Sequence, residues 1–341
     1  MLFRLYKLRF LTPVRFGDDG AAAGLDQARL AGRADTLFSA LCSEAAMLSA
    51  AAPQRLAAAA ADGNLLVTDL FPYRGETLYL PRPLLPPDTA WQQPAAGRTA
   101  SATAAHIKKK LNKLPYLPVR LLPAYLYWLR TGDSSQFDLD NANAIALSDI
   151  AKFSAVRVNA RVDGERQTLP YVVTQYQFGA GCGLYFVAAA ADQDLLDWID
   201  RLIASLSYSG IGGKRSAGLG KFELAEDPID MDETGVYADD AALYSLLTAT
   251  DADWYMALSC LWPLPNEVAL LADGFYSLTA RGGFVASPAY APSAVKHHSV
   301  HMLAAGSCLK AKAAGQVGDL AAGGKHPVYR YGKPLYAGLK L

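Results

Sequence analysis

The N-terminal segment alternates apolar and basic side chains. From Leu2 to Phe10 the chain reads LFRLYKLRF, so that Arg4, Lys7 and Arg9 stand between large apolar residues. A period of two predicts a half-buried β-strand, here with a positively charged outer face.

Two later stretches place apolar residues at helical spacing. Residues 35–48, DTLFSALCSEAAML, follow a loop, and the pattern predicts a helix with Asp35 as its N-cap. Residues 192–210, DQDLLDWIDRLIASLSYSG, predict an amphipathic helix capped by Asp192 or Asp194. Asp35 could also be imagined as a metal-binding acid, although its place before an apolar helix favours the cap.

Between these helices, TQYQFGAGCGLYFVAAA contains two aromatic runs on either side of Gly179–Gly183 and predicts a β-hairpin. The C-terminal third predicts mainly strands. The order strand, helix, insertion, hairpin, helix, strand favours an α+β ferredoxin-like (RRM-like) sandwich over a doubly wound nucleotide-binding fold.

The chain of 341 residues is long enough for two domains. A run with eight acidic and no basic residues, Glu223 to Asp240, marks the predicted boundary. We therefore expect an N-terminal domain over 1–225, an acidic linker over 226–240 and a C-terminal domain over 241–341.

Composition restricts the function classes. Charged residues make up 19% and apolar residues 52%, which excludes global disorder, and the net charge is zero. Binding to nucleic acid or membrane would therefore need a local patch. The four cysteines are far apart, and the chain has neither a signal-peptide pattern nor an apolar run of about 18 residues, so we expect a cytoplasmic protein without a membrane span.

A basic insertion over residues 88–132 has no acidic residue between Asp88 and Asp133. The segment YLYWLR, Tyr125–Arg130, is a candidate for exposed apolar surface.

The segment SGIGGKRSAGLGKFEL, Ser209–Leu224, combines five glycines with three cations. It fails the Rossmann pattern because Arg215 stands at the third glycine position, and it fails the Walker A pattern because Leu219 replaces the lysine. No nucleotide cofactor is therefore expected. Glycines let backbone N–H groups approach phosphate, so a polyanion is one explanation, and a mobile loop with incidental bases is the other.

This glycine loop resembles that of the RAMP superfamily, the RNA-binding subunits of CRISPR effector complexes. RADTLFSALCSEA, KKKLNKLPYLP and GGKHPVYRYGKPLY are similar to one branch, the Csm-type subunit of type III-A complexes that caps the 5′ handle of crRNA. The four blocks occur in the family's order and span nearly the whole chain.

The resemblance implies two tandem ferredoxin-like domains with a thumb-like insertion, and a non-catalytic scaffold that grips the crRNA 5′ handle. It also implies contact with target RNA near the thumb, and with the large palm-domain subunit and a backbone RAMP subunit. No cofactor or metal is implied. The expected RNA-binding residues are Arg33, Asp35, Thr36, Lys108, Lys109, Lys110, Lys113, Gly210, Gly212, Gly213, Lys214, Arg215, Ser216, Gly218, Gly220 and Lys221.

An alternative from the same superfamily is a metal-independent crRNA-processing endoribonuclease, which would use a histidine as general acid or base. His297, His298 and His301 form an HHSVH stretch, but a strand places residues three apart on opposite faces, which disfavours a shared metal. The thumb-like insertion could equally be a solvated loop or a subunit contact.

Overall fold

The computed structural model describes residues 1–17, 24–88, 100–140, 142, 150–159, 169–285, 287, 289–293 and 295–341. These residues form an α+β fold built on antiparallel sheets. The strands are β1 (Leu2–Phe10), β2 (Phe16–Gly17), β3 (Ala28–Arg29), β4 (Leu65–Val67), β5 (Phe71–Arg74), β6 (Thr77–Pro81), β7 (Tyr116–Pro118), β8 (Ile150–Asn159), β9 (Leu169–Phe178), β10 (Cys182–Ala190), β11 (Phe222–Leu224), β12 (Ile229–Met231), β13 (Trp254–Ala257), β14 (Leu278–Phe284), β15 (Lys296–Leu303), β16 (Cys308–Leu309), β17 (Gln316–Asp319), β18 (Tyr329–Gly332) and β19 (Tyr336–Leu339).

The α-helices are α1 (Ala34–Leu48), α2 (Ala52–Ala61), α3 (Ala100–Leu111), α4 (Leu122–Thr131), α5 (Gln193–Ser209) and α6 (Ala238–Thr248). Short 3₁₀ turns cover Val119–Leu121, Arg215–Ala217 and Pro265–Leu271. Within the described part of the chain, no helix has both the length and the apolar character needed to cross a membrane.

The largest sheet has the strand order β11-β1-β10-β5-β6-β7, with β12 also paired to β1 and β4 to β10. The predicted N-terminal strand is confirmed, because β1 pairs with β10 from Leu2 opposite Ala190 to Leu8 opposite Leu184. Alternate residues of β1 enter two different cores, one on each face of the sheet.

The three bases of β1 were predicted to form a positively charged outer face, and this prediction is wrong for Arg4 and Lys7. Arg4 is buried and donates to Asp200 and Asp230, both at 2.6 Å, and buried Lys7 lies 2.7 Å from Glu226. Two of these acids belong to the acidic run, which supplies counter-charges to β1 as β12 pairs with it. The division into two domains stays a prediction.

Helices α1, α2 and α5 pack on one face of the large sheet. Both long helices were predicted, and Asp192 caps α5 by accepting from the Leu195 N–H at 2.9 Å. The opposite face packs against α4, α6 and the three-stranded sheet β16-β13-β19 of the C-terminal part, so that Leu5, Leu126 and Leu339 belong to one core.

The predicted hairpin around Gly179–Gly183 is wrong. Both runs are strands, but β9 pairs with β8 over ten residues, whereas β10 enters the large sheet between β1 and β5. Turn composition was correctly identified, but it does not fix which strand a segment pairs with.

The predicted insertion is partly integral to the fold. Strand β7 pairs with β6, and α4 buries Tyr125, Trp128 and Leu129 in the core, so YLYWLR is not an exposed apolar surface. Helix α3 carries Lys108, Lys109 and Lys110 of the insertion, and another of its bases, Arg98, lies outside the described residues. Elsewhere in the C-terminal part, β14 pairs with β15 and β17 with β18.

Candidate nucleic-acid interface

The glycine-rich loop connects α5 to β11 and is anchored to the segment that follows β1. The Gly213 N–H donates to the Arg15 carbonyl at 2.7 Å, and the Gly220 N–H donates to the Pro13 carbonyl at 2.8 Å. The Ile211 N–H closes the loop on the Gly220 carbonyl at 2.9 Å. The loop therefore has a fixed path, and these two glycine N–H groups already have acceptors within the protein.

Two of the glycines are required by this packing. A Cβ on Gly220 would lie 2.0 Å from the Ile211 carbonyl oxygen, and one on Gly212 would lie 2.5 Å from the Arg15 carbonyl oxygen. Both have positive φ, as do Gly210 and Gly218, but a Cβ on Gly218 would meet nothing within 4 Å. The first role of Gly212 and Gly220 is thus a close backbone contact inside the protein.

The cations of the loop lie on its outer side. Lys214 has φ 62°, a left-handed conformation that is rare for a residue with a Cβ, and its Nζ lies 5.2 Å from the centre of the Tyr171 ring. Arg215 is half-buried, and Ser216 and Lys221 are exposed. A polyanion could approach all four of these side chains from solvent.

A cavity of about 180 Å³ lies between this loop and the N-terminus of α1. Its wall combines four arginines from three separate stretches of sequence with glycines of the glycine-rich loop. The lining residues are Arg15, Phe16, Gly17, Arg29, Ala31, Arg33, Thr36, Gly212, Gly213, Arg281 and Gly282. We call it the arginine pocket.

Sequence reasoning placed Arg33, Thr36, Gly212 and Gly213 at the site and missed the other three arginines. Nothing in their local sequence marks them: Arg15 and Arg281 have no predicted site residue close by, and Arg29, four residues before Arg33, precedes the motif RADTLFSALCSEA. Arg15 is buried and held by the Gly24 and Gln27 carbonyls at 3.0 and 2.9 Å.

Asp35 does not cap α1. The N-cap is Arg33, and the buried Asp69 carboxylate accepts from the Ala34 N–H at 2.7 Å. Asp35 lies in the first turn, where Arg281 donates Nε to Oδ2 at 2.8 Å and Nη2 to Oδ1 at 2.9 Å. Arg330 donates to the same carboxylate. From the sequence, Asp35 was expected to contact RNA directly. In the structure its side chain is fully buried, and its partners are arginines.

The charges in this cluster are set by burial and by the arginines. Burial alone would raise the pKa of Asp35, but Arg281 and Arg330 outweigh it and hold that pKa well below its ordinary value. Burial raises the pKa of Asp69 to about 6, against the attraction of Arg33. Asp35 is therefore ionised at neutral pH, whereas the pKa of Asp69 lies close to neutral pH.

The C-terminal stretch HPVYRYGK contacts the N-terminal stretch DTLFSAL. Besides the Arg330–Asp35 pair, Tyr331 stacks on Phe38 with ring centroids 5.1 Å apart, and its hydroxyl accepts from the Val67 N–H at 2.8 Å. The two stretches that carry the narrowest part of the family resemblance are thus joined in the folded chain.

Comparisons with known proteins agree with this resemblance. The family model for the CRISPR Csm4 C-terminal domain matches residues 250–339. A protein of Mycobacterium tuberculosis described as "CRISPR system Cms protein Csm4" is 30% identical over 338 residues, covering 98% of this chain and 97% of the relative. The chain belongs to the Csm4 family. A Streptococcus thermophilus Csm4 is 27% identical over 348 residues, covering 100% of each chain.

Solved structures show the same fold. A chain from a structure described as the Csm3–Csm4 subcomplex in the type III-A CRISPR-Cas interference complex has a TM-score of 0.64 at 16% identity, with 100% of both chains covered. A chain from a Csm1–Csm4 cassette in complex with pppApA has a TM-score of 0.59 at 19% identity, covering 100% of this chain and 99% of that one.

Within this Csm4 family member, the histidines have varied surroundings. His297 is buried, and its Nε2 lies 2.6 Å from Nη2 of Arg330. Because arginine only donates, this nitrogen accepts, and burial followed by the Arg330 charge lowers the pKa of His297. His298 and His301 are exposed, and Nε2 of His326 lies 2.9 Å from the Ser287 hydroxyl. Among the described residues, no group of three or more potential ligands is placed to hold a metal ion.

The predicted lysines lie outside the arginine pocket. Lys108 and Lys109 are exposed on α3, and Lys113 is exposed just after it. Lys110 donates to Asp140 at 2.6 Å. Lys108 also lines a wide groove with residues of the segment 268–277, and this groove shares no lining residue with the arginine pocket.

Proposed function

We propose that this chain is a non-catalytic RNA-binding scaffold subunit of a type III-A CRISPR interference complex, and that it grips the repeat-derived 5′ handle of crRNA. The observation that carries the proposal is the arginine pocket beside the glycine-rich loop. Guanidinium groups and a threonine hydroxyl are donors suited to phosphate oxygens and ribose hydroxyls.

The outer side of the loop extends this surface. Lys214, Arg215, Ser216 and Lys221 are half or fully exposed next to the pocket wall formed by Gly212 and Gly213. A single-stranded RNA could therefore place one phosphate in the pocket and its neighbours along the loop.

The strand order supports the fold part of the proposal. In the order β11-β1-β10-β5, with α1 following β1 and α5 following β10, the first half has the connectivity of a ferredoxin-like domain. We propose that the C-terminal part is the second domain of a tandem pair.

The scaffold role rests on relatives and on surface chemistry. Solved structures with this fold hold a Csm4 chain together with Csm1 or Csm3, and we propose that this chain links the corresponding large palm-domain subunit to a backbone subunit. Val268, Phe275, Tyr276 and Leu278 form a run of exposed apolar side chains of the kind that subunit interfaces cover.

We propose that Lys108, Lys109 and Lys113 contact target RNA near the thumb, whereas Lys110 is paired with Asp140. Their support is the exposure of Lys108, Lys109 and Lys113 and the absence of a described acidic neighbour within α3 itself. The segment 89–99, which belongs to the same predicted insertion, lies outside the described residues.

The test of RNA gripping uses Lys214→Gly combined with Arg215→Gln. Glycine adopts the left-handed backbone of position 214 without strain, so the change removes charge and leaves the loop path intact. Guide RNA that co-purifies with the full chain and its partner subunits should fall markedly. Arg55→Gln is a matched surface control, because Arg55 stacks on Trp198 away from the pocket. Unchanged guide retention would refute the proposed function.

The non-catalytic part is supported by the pocket lining, which contains neither a histidine nor a carboxylate among its described residues. Incubation of the purified chain with repeat-containing RNA in EDTA should leave the RNA intact. Specific cleavage that disappears when one histidine is replaced would favour the processing endoribonuclease instead.

A further inference from the structure

Arg281 reaches the arginine pocket from the C-terminal part of the chain. It belongs to β14, whereas the other three arginines of the lining precede α1 or cap it. The pocket is therefore composite: it has its full set of cations only when β14 is docked against the N-terminus of α1.

Contacts with the side chains of Asp35 and Thr36 orient the Arg281 guanidinium. Its Nε and Nη2 bind the two oxygens of Asp35 at 2.8 and 2.9 Å, and Nη2 also lies 3.2 Å from the Thr36 hydroxyl. A two-pronged contact with a carboxylate fixes the direction of the guanidinium as well as its position. An arginine held in this way loses little side-chain entropy when an anion binds.

From this geometry we propose that Arg281 is a phosphate ligand of the bound RNA and that Asp35 is the residue that positions it. The inference rests on the proposed function and extends it, because it assigns one wall of the RNA site to the C-terminal part. Asp35 contacts no RNA in this scheme; it acts only through Arg281.

The cluster keeps a positive surplus for an anion. The Asp35 carboxylate is shared by Arg281 and Arg330, and Arg33 adds a third positive charge close to it. The buried carboxylates of Asp35 and Asp69 together carry at most two negative charges, so these three arginines keep a positive surplus. Arg330 pairs with the same carboxylate but does not line the pocket, so replacing it alters the surroundings of Asp35 without removing a group that could contact the ligand.

This difference provides a matched pair of variants. A single-stranded RNA with the repeat-derived tag is titrated against the full chain over a salt series, by fluorescence anisotropy, with circular dichroism to follow folding. Arg281→Met should weaken binding about tenfold, the loss of one charge-assisted contact, and should reduce the slope against log salt by about 0.7. Arg330→Met should lower the melting temperature, yet bind within about twofold of the natural chain while folded.

The direction in which Asp35→Asn changes the RNA affinity distinguishes positioning of Arg281 from long-range electrostatics. Removing a negative charge beside the pocket would strengthen RNA binding if only long-range electrostatics mattered. Positioning predicts weaker binding, and no further loss when Asp35→Asn is added to Arg281→Met. If Asp35→Asn does not fold, the comparison of Arg281→Met with Arg330→Met decides alone.

Equal losses in Arg281→Met and Arg330→Met, or none in Arg281→Met, would overturn the inference. The Lys214→Gly and Arg215→Gln variant, measured in the same assay, distinguishes failure of this inference from failure of the proposed function. If it weakens binding while Arg281→Met does not, only the composite pocket is wrong. If neither weakens binding, the proposed function itself fails.

Discussion

Phe38 in α1 and Tyr331 in β18 stack with ring centroids 5.1 Å apart and their planes inclined by 28°. Both side chains are completely buried, although they come from opposite ends of the sequence. Beside them, the Tyr331 hydroxyl accepts from the Val67 N–H at 2.8 Å, and Arg330 pairs with Asp35. The contact of these two motifs joins the two ends of the chain beside Asp35, whose other arginine partner, Arg281, lines the arginine pocket.

Tyr331→Phe should retain the stacking and lose the hydrogen bond to Val67. Because this leaves a buried N–H without that acceptor, we expect a loss of about 1–3 kcal/mol in the free energy of unfolding, measured by urea denaturation. Tyr329→Phe in the same strand is the control, since Tyr329 is only half-buried. Equal stability of Tyr331→Phe and the natural chain would show that this hydrogen bond adds nothing.

Gly220→Ala should disrupt the glycine loop, because its Cβ would meet the Ile211 carbonyl at 2.0 Å. Gly218→Ala adds only the strain of a left-handed backbone, about 1–2 kcal/mol, since space around it is open. We expect the first variant to lose clearly more stability and RNA affinity than the second. Thermal unfolding and RNA titration measure both, and identical behaviour of the two variants would contradict a fixed loop path.

Asp69 should make stability depend on pH. Its pKa is raised from 3.8 to about 6, so the folded state binds this proton more tightly than the unfolded chain does. The contribution of Asp69 to stability is therefore fully present below about pH 4 and is lost as pH rises to about 6. Asp35 stays charged across this window because its pKa is held below the ordinary value.

Asp69→Asn should remove this part of the pH dependence while an amide oxygen remains to accept from the Ala34 N–H. Melting temperatures measured from about pH 4 to about pH 6 check it, with the exposed Asp62→Asn as control. If Asp69→Asn leaves the profile of the natural chain unchanged, Asp69 does not titrate in this range.

Replacing Lys108, Lys109 and Lys113 together by Gln should weaken binding of target RNA by the assembled complex and flatten its salt dependence. Lys110→Gln is the matched control, because Lys110 is paired with Asp140. Guide retention should be unaffected in both. A fall in guide retention with unchanged target binding would instead assign these lysines to the guide.

Sequence reasoning was reliable where the signal was local. The strand at residues 2–10, the helices α1 and α5 and the glycine loop all follow from periodicity and composition within a few residues, and Asp192 was one of two candidates for the cap of α5. It failed where partners were remote: the β9 and β10 runs were predicted to pair together, and the bases of β1 were predicted to face solvent.

The candidate site divides in the same way. Composition alone pointed to Lys214, Arg215 and the glycines, and a motif resemblance added Arg33 and Thr36. Arg15, Arg29 and Arg281 carry no mark in their own stretches, because an arginine becomes a pocket residue only through what packs around it. The role of Asp35 changed for the same reason: a cap is a local interaction, whereas its arginine partners lie 246 and 295 residues away in sequence.

The sequence by itself determined the elements, the cationic glycine loop and the family, since each depends on the order of residues over short stretches. Only the tertiary structure decided that the loop is anchored to the segment after β1, that the acidic run neutralises the first strand, and that Asp35 orients an arginine from β14. These depend on which distant surfaces pack together. Which surfaces pack together depends on the burial of apolar side chains and the pairing of strands and charges across the whole chain, and no single motif contains that information.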